Sequence, residues 1–123
     1  MFQRHAVSVE TIADGSATAY TEFPVQGRIF RVVYTKDDFA AGVDFTITLE
    51  DSGQNVWTEA DVNAAKSINP MQPMQDNAGA DITYDGTRKV HGPIVACRPE
   101  RVKIVIAQGG DTKSGTFVFF TGG

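Results

Sequence analysis

The side chains best suited to catalysis or metal binding in this sequence are two histidines and one cysteine: His5, His91 and Cys97. They share no metal-ligand spacing on one predicted strand or helix, so solvated or packing histidines explain them better than a metal site. A single cysteine also excludes an intrachain disulfide. A Ser-His-Asp triad needs no fixed spacing, but there is no G-x-S-x-G motif, and Asp14-Gly15-Ser16 is typical of a turn. The residue types therefore predict no enzyme and no cofactor.

Two loops carry weaker signals for ligand binding. Asp37, Asp38 and Asp44 supply carboxylates of the kind that Ca²⁺ prefers, but the twelve-residue calcium loop pattern is missing. Residues 108–115 (QGGDTKSG) combine glycines with a Lys-Ser pair, yet the G-x-x-x-x-G-K-[ST] spacing of a phosphate-binding loop is absent. Solvated carboxylates and an exposed hairpin are the simpler interpretations, and the sequence predicts no metal site.

The aromatic residues leave a sugar-binding surface open as an alternative. Trp57 with Tyr20, Tyr34 or Tyr84 would suit a platform of the kind found in jelly-roll lectin modules. Trp57 follows Val56 in a predicted strand, however, and this position is more typical of a core or interface residue.

Length and charge limit the classes of partner. A chain of 123 residues fits one domain, spanning 1–123. The formal net charge is −4, and Glu100 interrupts the nearest basic cluster, Arg98, Arg101 and Lys103, so we expect no nucleic-acid partner. No stretch approaches the roughly 20 apolar residues of a membrane span, and the N-terminus lacks the apolar core of a signal peptide. We therefore expect no membrane partner and no export by the general route.

The run from Gly27 to Trp57 contains the strongest strand signals. Residues 28–36 carry apolar groups on both faces, which indicates a central strand between two packed layers. Residues 44–51 alternate apolar and polar side chains, which is typical of a strand with one buried and one solvent-exposed face. Between them, residues 37–43 predict a loop whose Phe39 tucks under the sheet edge. Further strands are predicted at residues 1–12, 16–23, 55–58, 81–86, 88–96, 100–108 and 116–121.

The segment from Ala60 to Ala80 differs from the rest. Residues 61–68 predict a helical turn or two, capped by Asp61 and ended by Pro70, and the remainder predicts a long loop. About eight strands with turn signals between them predict an all-β jelly-roll or Greek-key β-sandwich or barrel with one long loop. Residues 1–5 fit either the first strand or a short N-terminal arm.

The sequence resembles small all-β structural proteins encoded among the virion genes of tailed bacteriophages. The resemblance rests on DGSATAYT (14–21), GRIFRVVYT (27–35), AAGVDFTIT (40–48), DSGQNVW (51–57), VNA (62–64) and ERVKIVIAQGGDTKSGTF (100–117). These motifs are turn and strand patterns spread over most of the chain. The final TFVFFTGG departs from the pattern.

The role that the resemblance best implies is a capsid cement or decoration protein. It implies the major capsid protein and further copies of this chain as partners, in a homotrimer or another cyclic oligomer. The location would be the capsid surface of the virion, after assembly in the host cytoplasm. A head–tail connector or tail adaptor is the alternative within such phages. The predicted contact residues lie in the N-terminal segment and the Met- and Pro-containing loop: Met1, Phe2, Gln3, Arg4, His5, Ile68, Pro70, Met71, Pro73 and Met74.

Overall fold

The computed structural model describes residues 2–122, and within them the secondary structure is entirely β. The ten strands are β1 (Phe2–Glu10), β2 (Ala17–Tyr20), β3 (Val25–Thr35), β4 (Val43–Leu49), β5 (Asn55–Val62), β6 (Lys66–Ile68), β7 (Met71–Pro73), β8 (His91–Glu100), β9 (Val102–Ala107) and β10 (Ser114–Gly122). All the strand pairs are antiparallel.

The strands form two sheets that face each other. Sheet 1 has the order β1-β10-β3-β8-β7, with β6 paired to β3, and sheet 2 has the order β2-β9-β4-β5. Setting β6 and β7 aside, four strands face four strands, and most connections cross from one sheet to the other. This is the strand order of an eight-stranded jelly roll. The prediction of an all-β jelly-roll or Greek-key sandwich or barrel is confirmed in its sandwich form, with two short strands added between β5 and β8.

Period-two alternation builds the core. In β4 and β9 every second side chain is buried, and the buried residues of both sheets meet in one apolar layer. Its centre is aromatic: the ring of Tyr34 lies 5.0 Å from that of Phe117 and 5.2 Å from that of Phe45. Phe39, in the loop after β3, is 1% exposed and packs against this cluster, as predicted. Gly115 makes room for it, because a Cβ there would overlap the Phe39 ring.

The helical turn predicted for residues 61–68 is wrong. β5 continues to Val62, and β6 pairs with β3. Asp61 adopts a φ of 56°, and its N–H donates to Asp44 Oδ1 at 2.8 Å instead of beginning a helix. Pairing with a long central strand outweighs the weak helical preference of so short a segment. β6 and β7 lie within the predicted loop, and the long connection runs instead from residue 74 to residue 90. The strand predicted at 81–86 is wrong, because only isolated bridges form in this stretch.

The N-terminal segment is a strand and not an arm. Phe2 to Glu10 pair with Gly122 to Ser114 of β10 in one uninterrupted register. Met1 lies outside the described residues.

The prediction that β3 is covered on both faces is wrong. The strand is central in sheet 1, but only its inner face is covered by a second layer within residues 2–122.

A candidate protein-interaction face on sheet 1

The outer face of sheet 1 is open, and its side chains can be followed row by row across the strands. On β1, Val7 and Val9 point into the core, so the even-numbered residues from Phe2 to Glu10 point outward. Residues directly opposite one another on paired strands share a face. The pairing registers therefore show which side chains of β10, β3 and β8 accompany those of β1.

The first row crosses four strands. Phe2 pairs with Gly122, Gly122 with Arg28, and Arg28 with Val95. Phe30 occupies the bulge between β3 and β10, and its ring meets that of Phe2 edge-on at 5.2 Å. Gly122 allows this approach, because a Cβ there would overlap both rings. Phe2 is still 76% exposed and Val95 is 43% exposed, whereas the Phe30 ring is half-buried, so the apolar surface of this row lies mainly at its two ends.

The next two rows continue the same chemistry. Arg4 pairs with Phe120, and Phe120 with Arg31. The Arg31 guanidinium donates to Ser67 Oγ at 2.7 Å and to Asn69 Oδ1 at 3.3 Å, so β6 and the residue after it hold this cation in place. The third row consists of Ala6, Val118, Val33 and Ser67, in which Val118 is 8% exposed and only the two ends are open to solvent.

These rows define a surface that we name the Arg–Phe face. Its members are Phe2, Arg4, Arg28, Phe30, Arg31 and Phe120. No acidic side chain occurs in the three rows, although the protein is acidic. Removing three positive charges from the formal net charge of −4 leaves −7 on the rest of the chain. Arginine and aromatic residues with few lysines or acids make up the composition that is enriched in protein–protein interfaces.

The outer face of sheet 2 is different. Its central row is Thr18, Val105, Thr46 and Thr58, and Lys103 and Thr48 lie opposite each other in the same sheet. Threonine is the commonest residue on these rows, but Tyr20 lies opposite Lys103, and the Arg101 guanidinium carbon is 4.3 Å from the centre of the Tyr20 ring. What distinguishes sheet 1 is the packed Phe2–Phe30 pair with three arginines in the adjoining rows.

The predicted contact residues divide between the two edges of sheet 1. Phe2 and Arg4 belong to the Arg–Phe face, whereas Gln3 and His5 alternate to the other side of β1. In the second predicted segment, Ile68 lies in β6 beside the central strand β3, whereas Met71 and Pro73 lie in β7 at the opposite edge. Strands β10, β3 and β8 separate β7 from β1, a width of four strand spacings or roughly 19 Å. The structure does not bring the two segments together into one patch.

Within the second segment, burial separates the residues that face solvent from those that do not. Ile68 is half-buried and packs against the core, and Pro70 is buried. Met71, Pro73 and Met74 are exposed, although Met74 also covers Gly92, where a Cβ would overlap its sulfur. Only this exposed part of the segment is accessible to a partner.

Four members of the face are not among the predicted contact residues: Arg28, Phe30, Arg31 and Phe120. For the three on β3, the signal lies in residues 28–36, where apolar and cationic groups share the strand. The same pattern is typical of a strand covered on both sides, and a single sequence does not show whether a second layer covers an apolar face.

The platform proposed for sugar binding does not form around Trp57. This side chain is 6% exposed and lies 4.7 Å from Phe45 in the core, with its indole Nε1–H donating to Glu59 Oε1 at 3.2 Å. Tyr34 is fully buried as well. The carbohydrate alternative therefore loses two of its four aromatic residues.

The remaining candidates for chemistry stay apart or take structural roles. Within residues 2–122, no group of three or more His, Cys, Asp or Glu side chains is placed to hold a metal ion. The same residues include no helix with the length and hydropathy needed to cross a membrane. Asp37 Oδ2 accepts from Thr116 Oγ1 at 2.8 Å, and Asp38 Oδ1 accepts from the N–H of Ser114. These carboxylates fasten the loop after β3 to β10.

Comparison with known proteins yields structural likeness only. No family model matches the chain, and no curated protein matches it. A chain in the cryo-EM structure of the virus-like particle of giant freshwater prawn Macrobrachium rosenbergii extra small virus is similar over 97% of this chain and 78% of that one, with 13% identity and a TM-score of 0.31. A chain in the structure of infectious bursal disease virus Gx strain is similar over 97% of this chain and 32% of that one, with 12% identity and a TM-score of 0.29. The jelly-roll assignment itself follows from the strand order.

Proposed function

We propose that this protein is a non-enzymatic structural component of a tailed-phage virion, which binds the capsid shell and stabilises it as a cement or decoration protein. The observation that carries the proposal is the Arg–Phe face, an open interface-like surface on a jelly roll. The resemblance of the strand and turn motifs to phage virion proteins supports the same role. Viral coat proteins are among the users of the jelly-roll fold.

The chemistry of the face indicates how the contact would work. Phe2, Phe30 and Phe120 provide the apolar area that is removed from water on docking, since aromatic rings contribute the most buried surface per residue. Arg4, Arg28 and Arg31 provide orientation and favour an acidic partner surface. A shell protein with acidic side chains around an apolar patch is the partner that fits.

The lattice of a capsid would supply the remaining affinity. Each copy can bind the shell weakly, because an oligomer that contacts several shell subunits at once gains overall affinity from every linked contact. In this role the protein works at the capsid surface of the virion after assembly in the host cytoplasm. Its partners are the major capsid protein and copies of itself.

Purified virions from a phage that carries the gene test the proposal. Quantitative mass spectrometry should find the polypeptide at a copy number close to that of the shell subunits, and deletion of the gene should lower the temperature at which particles release DNA. A ring's worth of copies would instead indicate a connector or tail adaptor. Absence from the particle would overturn the virion role altogether.

Rebinding to shells that lack the protein tests the Arg–Phe face itself. The Arg28→Glu variant should bind at least about tenfold more weakly, because it places a negative charge before an acidic partner. Lys103→Glu makes the same change of charge on the outer face of sheet 2 and is the matched control. Equal loss in both variants would show that net charge matters and the face does not.

A further inference from the structure

Strand β1 is paired on one side only. It forms an edge of sheet 1, and among residues 2–122 its backbone has hydrogen-bond partners only on β10. The N–H of Thr11, the residue after the strand, donates to the carbonyl of Lys113. In an antiparallel pair the hydrogen-bonded positions alternate, so the odd-numbered residues of β1 bond to β10. The even-numbered residues, Phe2 to Glu10, direct their N–H and C=O groups to the open edge.

The other open edges carry the features by which proteins prevent strand pairing. β6 has three residues, and the part of β8 beyond β7 contains Pro99 and shifts register against β3. β2 has four residues, and β7 has three, one of which is Pro73. β5 is longer, but its pairing with β4 shifts register twice. Short strands, proline and bulges all weaken an edge as a template. β1 has none of these features, because its nine residues are regular and contain neither proline nor lysine.

We propose that β1 pairs antiparallel with β1 of a second copy, in the register that places Arg4 of each copy opposite Glu10 of the other. In this register Ala6 lies opposite Ser8, and Val7 lies on the two-fold axis. Arg4 and Glu10 share the outer face of β1, and neither has an ion-pair partner within residues 2–122. When two copies of β1 run in opposite directions, each Arg4 therefore meets a Glu10 of opposite charge. A two-fold interface requires this kind of self-complementarity.

The register also satisfies the backbone. Arg4, Ala6, Ser8 and Glu10 are the residues whose N–H and C=O groups face the open edge, and the register pairs them with one another. Four pairs of hydrogen-bonded residues would then join the two copies. Ala6 and Ser8 are small, so no bulky side chain stands at the centre of the junction.

The dimer would place both Arg–Phe faces on one side of a continuous sheet. Pairing through β1 is a property of the isolated chain and does not depend on the virion role. If that role holds, two faces in one plane would bind a shell more tightly than one, by linking their contacts.

Solution measurements on the full chain test the dimer. Sedimentation velocity over a range of concentrations should show a monomer–dimer equilibrium. Hydrogen exchange should show slow amides at the odd positions of β1 at all concentrations. At Arg4, Ala6, Ser8 and Glu10 the amides should slow only as the dimer forms. A monomer at every concentration, or a dimer without this alternation, would overturn the proposal.

Charge reversal tests the register. Arg4→Glu and Glu10→Arg should each weaken the dimer about tenfold or more, because each places like charges opposite one another twice. The double variant restores both pairs and should recover the wild-type dimer. Failure of the double variant to recover it, with folding verified by circular dichroism, would contradict the register.

A proline substitution tests the edge without relying on charge. Ala6→Pro removes an N–H that faces the open edge and leaves the bonds to β10 in place, so it should abolish the dimer and keep the fold. Ala6→Ser retains the N–H and is the control. A folded Ala6→Pro variant that dimerises like wild type would also overturn the proposal.

Discussion

The guanidinium carbon of Arg28 lies 4.8 Å from the centre of the Phe30 ring on the outer face of sheet 1. A cation above an aromatic face is an attractive arrangement, and here it stands on a surface with no acidic neighbour in its row. Phe30 in turn packs edge-on against the exposed Phe2. The pair shows how the face combines charge with apolar area in one place.

That combination predicts how shell binding responds to salt. Wild-type binding should weaken as sodium chloride rises from 0.05 to about 1 M, because the Debye length falls to roughly 3 Å at 1 M and the arginine charges are screened. Phe2→Ser should weaken binding at low salt but leave this dependence intact, since it removes area and no charge. Co-sedimentation with shells measures both effects. Binding that is independent of salt would mean that the arginines make no ionic contact.

Tyr34→Phe should leave the protein as stable as wild type or stabilise it by up to about 1 kcal/mol. The Tyr34 hydroxyl is buried and has no hydrogen-bond partner within residues 2–122. Burial, aided by the negative charge of Asp37, raises its pKa to about 12. An unpaired hydroxyl costs desolvation free energy that phenylalanine does not. Urea unfolding measures the difference, and a loss beyond 1 kcal/mol would show that the hydroxyl has a partner after all.

Glu100→Ala should destabilise the fold by about 2–3 kcal/mol. Glu100 is 5% exposed, and its Oε1 accepts hydrogen bonds from the backbone N–H groups of Asp51 at 2.9 Å and Ser52 at 3.0 Å. The carboxylate therefore holds the turn between β4 and β5. Glu22→Ala, at an exposed acid, is the control and should stay within about 0.5 kcal/mol of wild type. If Glu100→Ala and Glu22→Ala changed the free energy of unfolding equally, Glu100 would not stabilise the turn between β4 and β5.

His5 predicts a loss of stability on mild acidification. Burial lowers the pKa of His5 from 6.5, and its Nε2 is buried without a partner within residues 2–122. The unfolded chain therefore takes up the proton more readily than the folded one. The contribution of neutral His5 is complete above pH 6.5 and declines as the pH falls through 6.5 toward the lower folded pKa.

Thermal unfolding between pH 7.5 and 5 measures this contribution. His5→Gln should flatten the decline, whereas His91→Gln, at an exposed position, should retain it. An identical decline in wild type and His5→Gln would assign the effect to other groups.

Local patterns in the sequence predicted most of the strands because burial follows period two in them. In β4, Phe45, Ile47 and Leu49 face inward as alternation predicts, and β9 behaves in the same way. The turn at Asp14-Gly15 also follows from local chemistry, since Gly15 has a φ of 84°. The segment 61–68 was mispredicted because its conformation depends on pairing with β3, which lies far away in sequence.

The candidate site was only partly predictable for a similar reason. Phe2 and Arg4 were identified from their position at the chain end. Arg28, Phe30 and Arg31 join them through the β1-β10-β3 pairing, in which β10 comes from the far end of the chain. Neither composition nor spacing reveals such neighbours.

A density map of the virion at a resolution that separates the two sheets tests the central claim most directly. We expect a jelly roll on the outside of the shell, with the Arg–Phe face of sheet 1 turned toward an acidic surface of the shell protein. Density in which the threonine-rich face of sheet 2 meets the shell, and sheet 1 faces solvent, would contradict it.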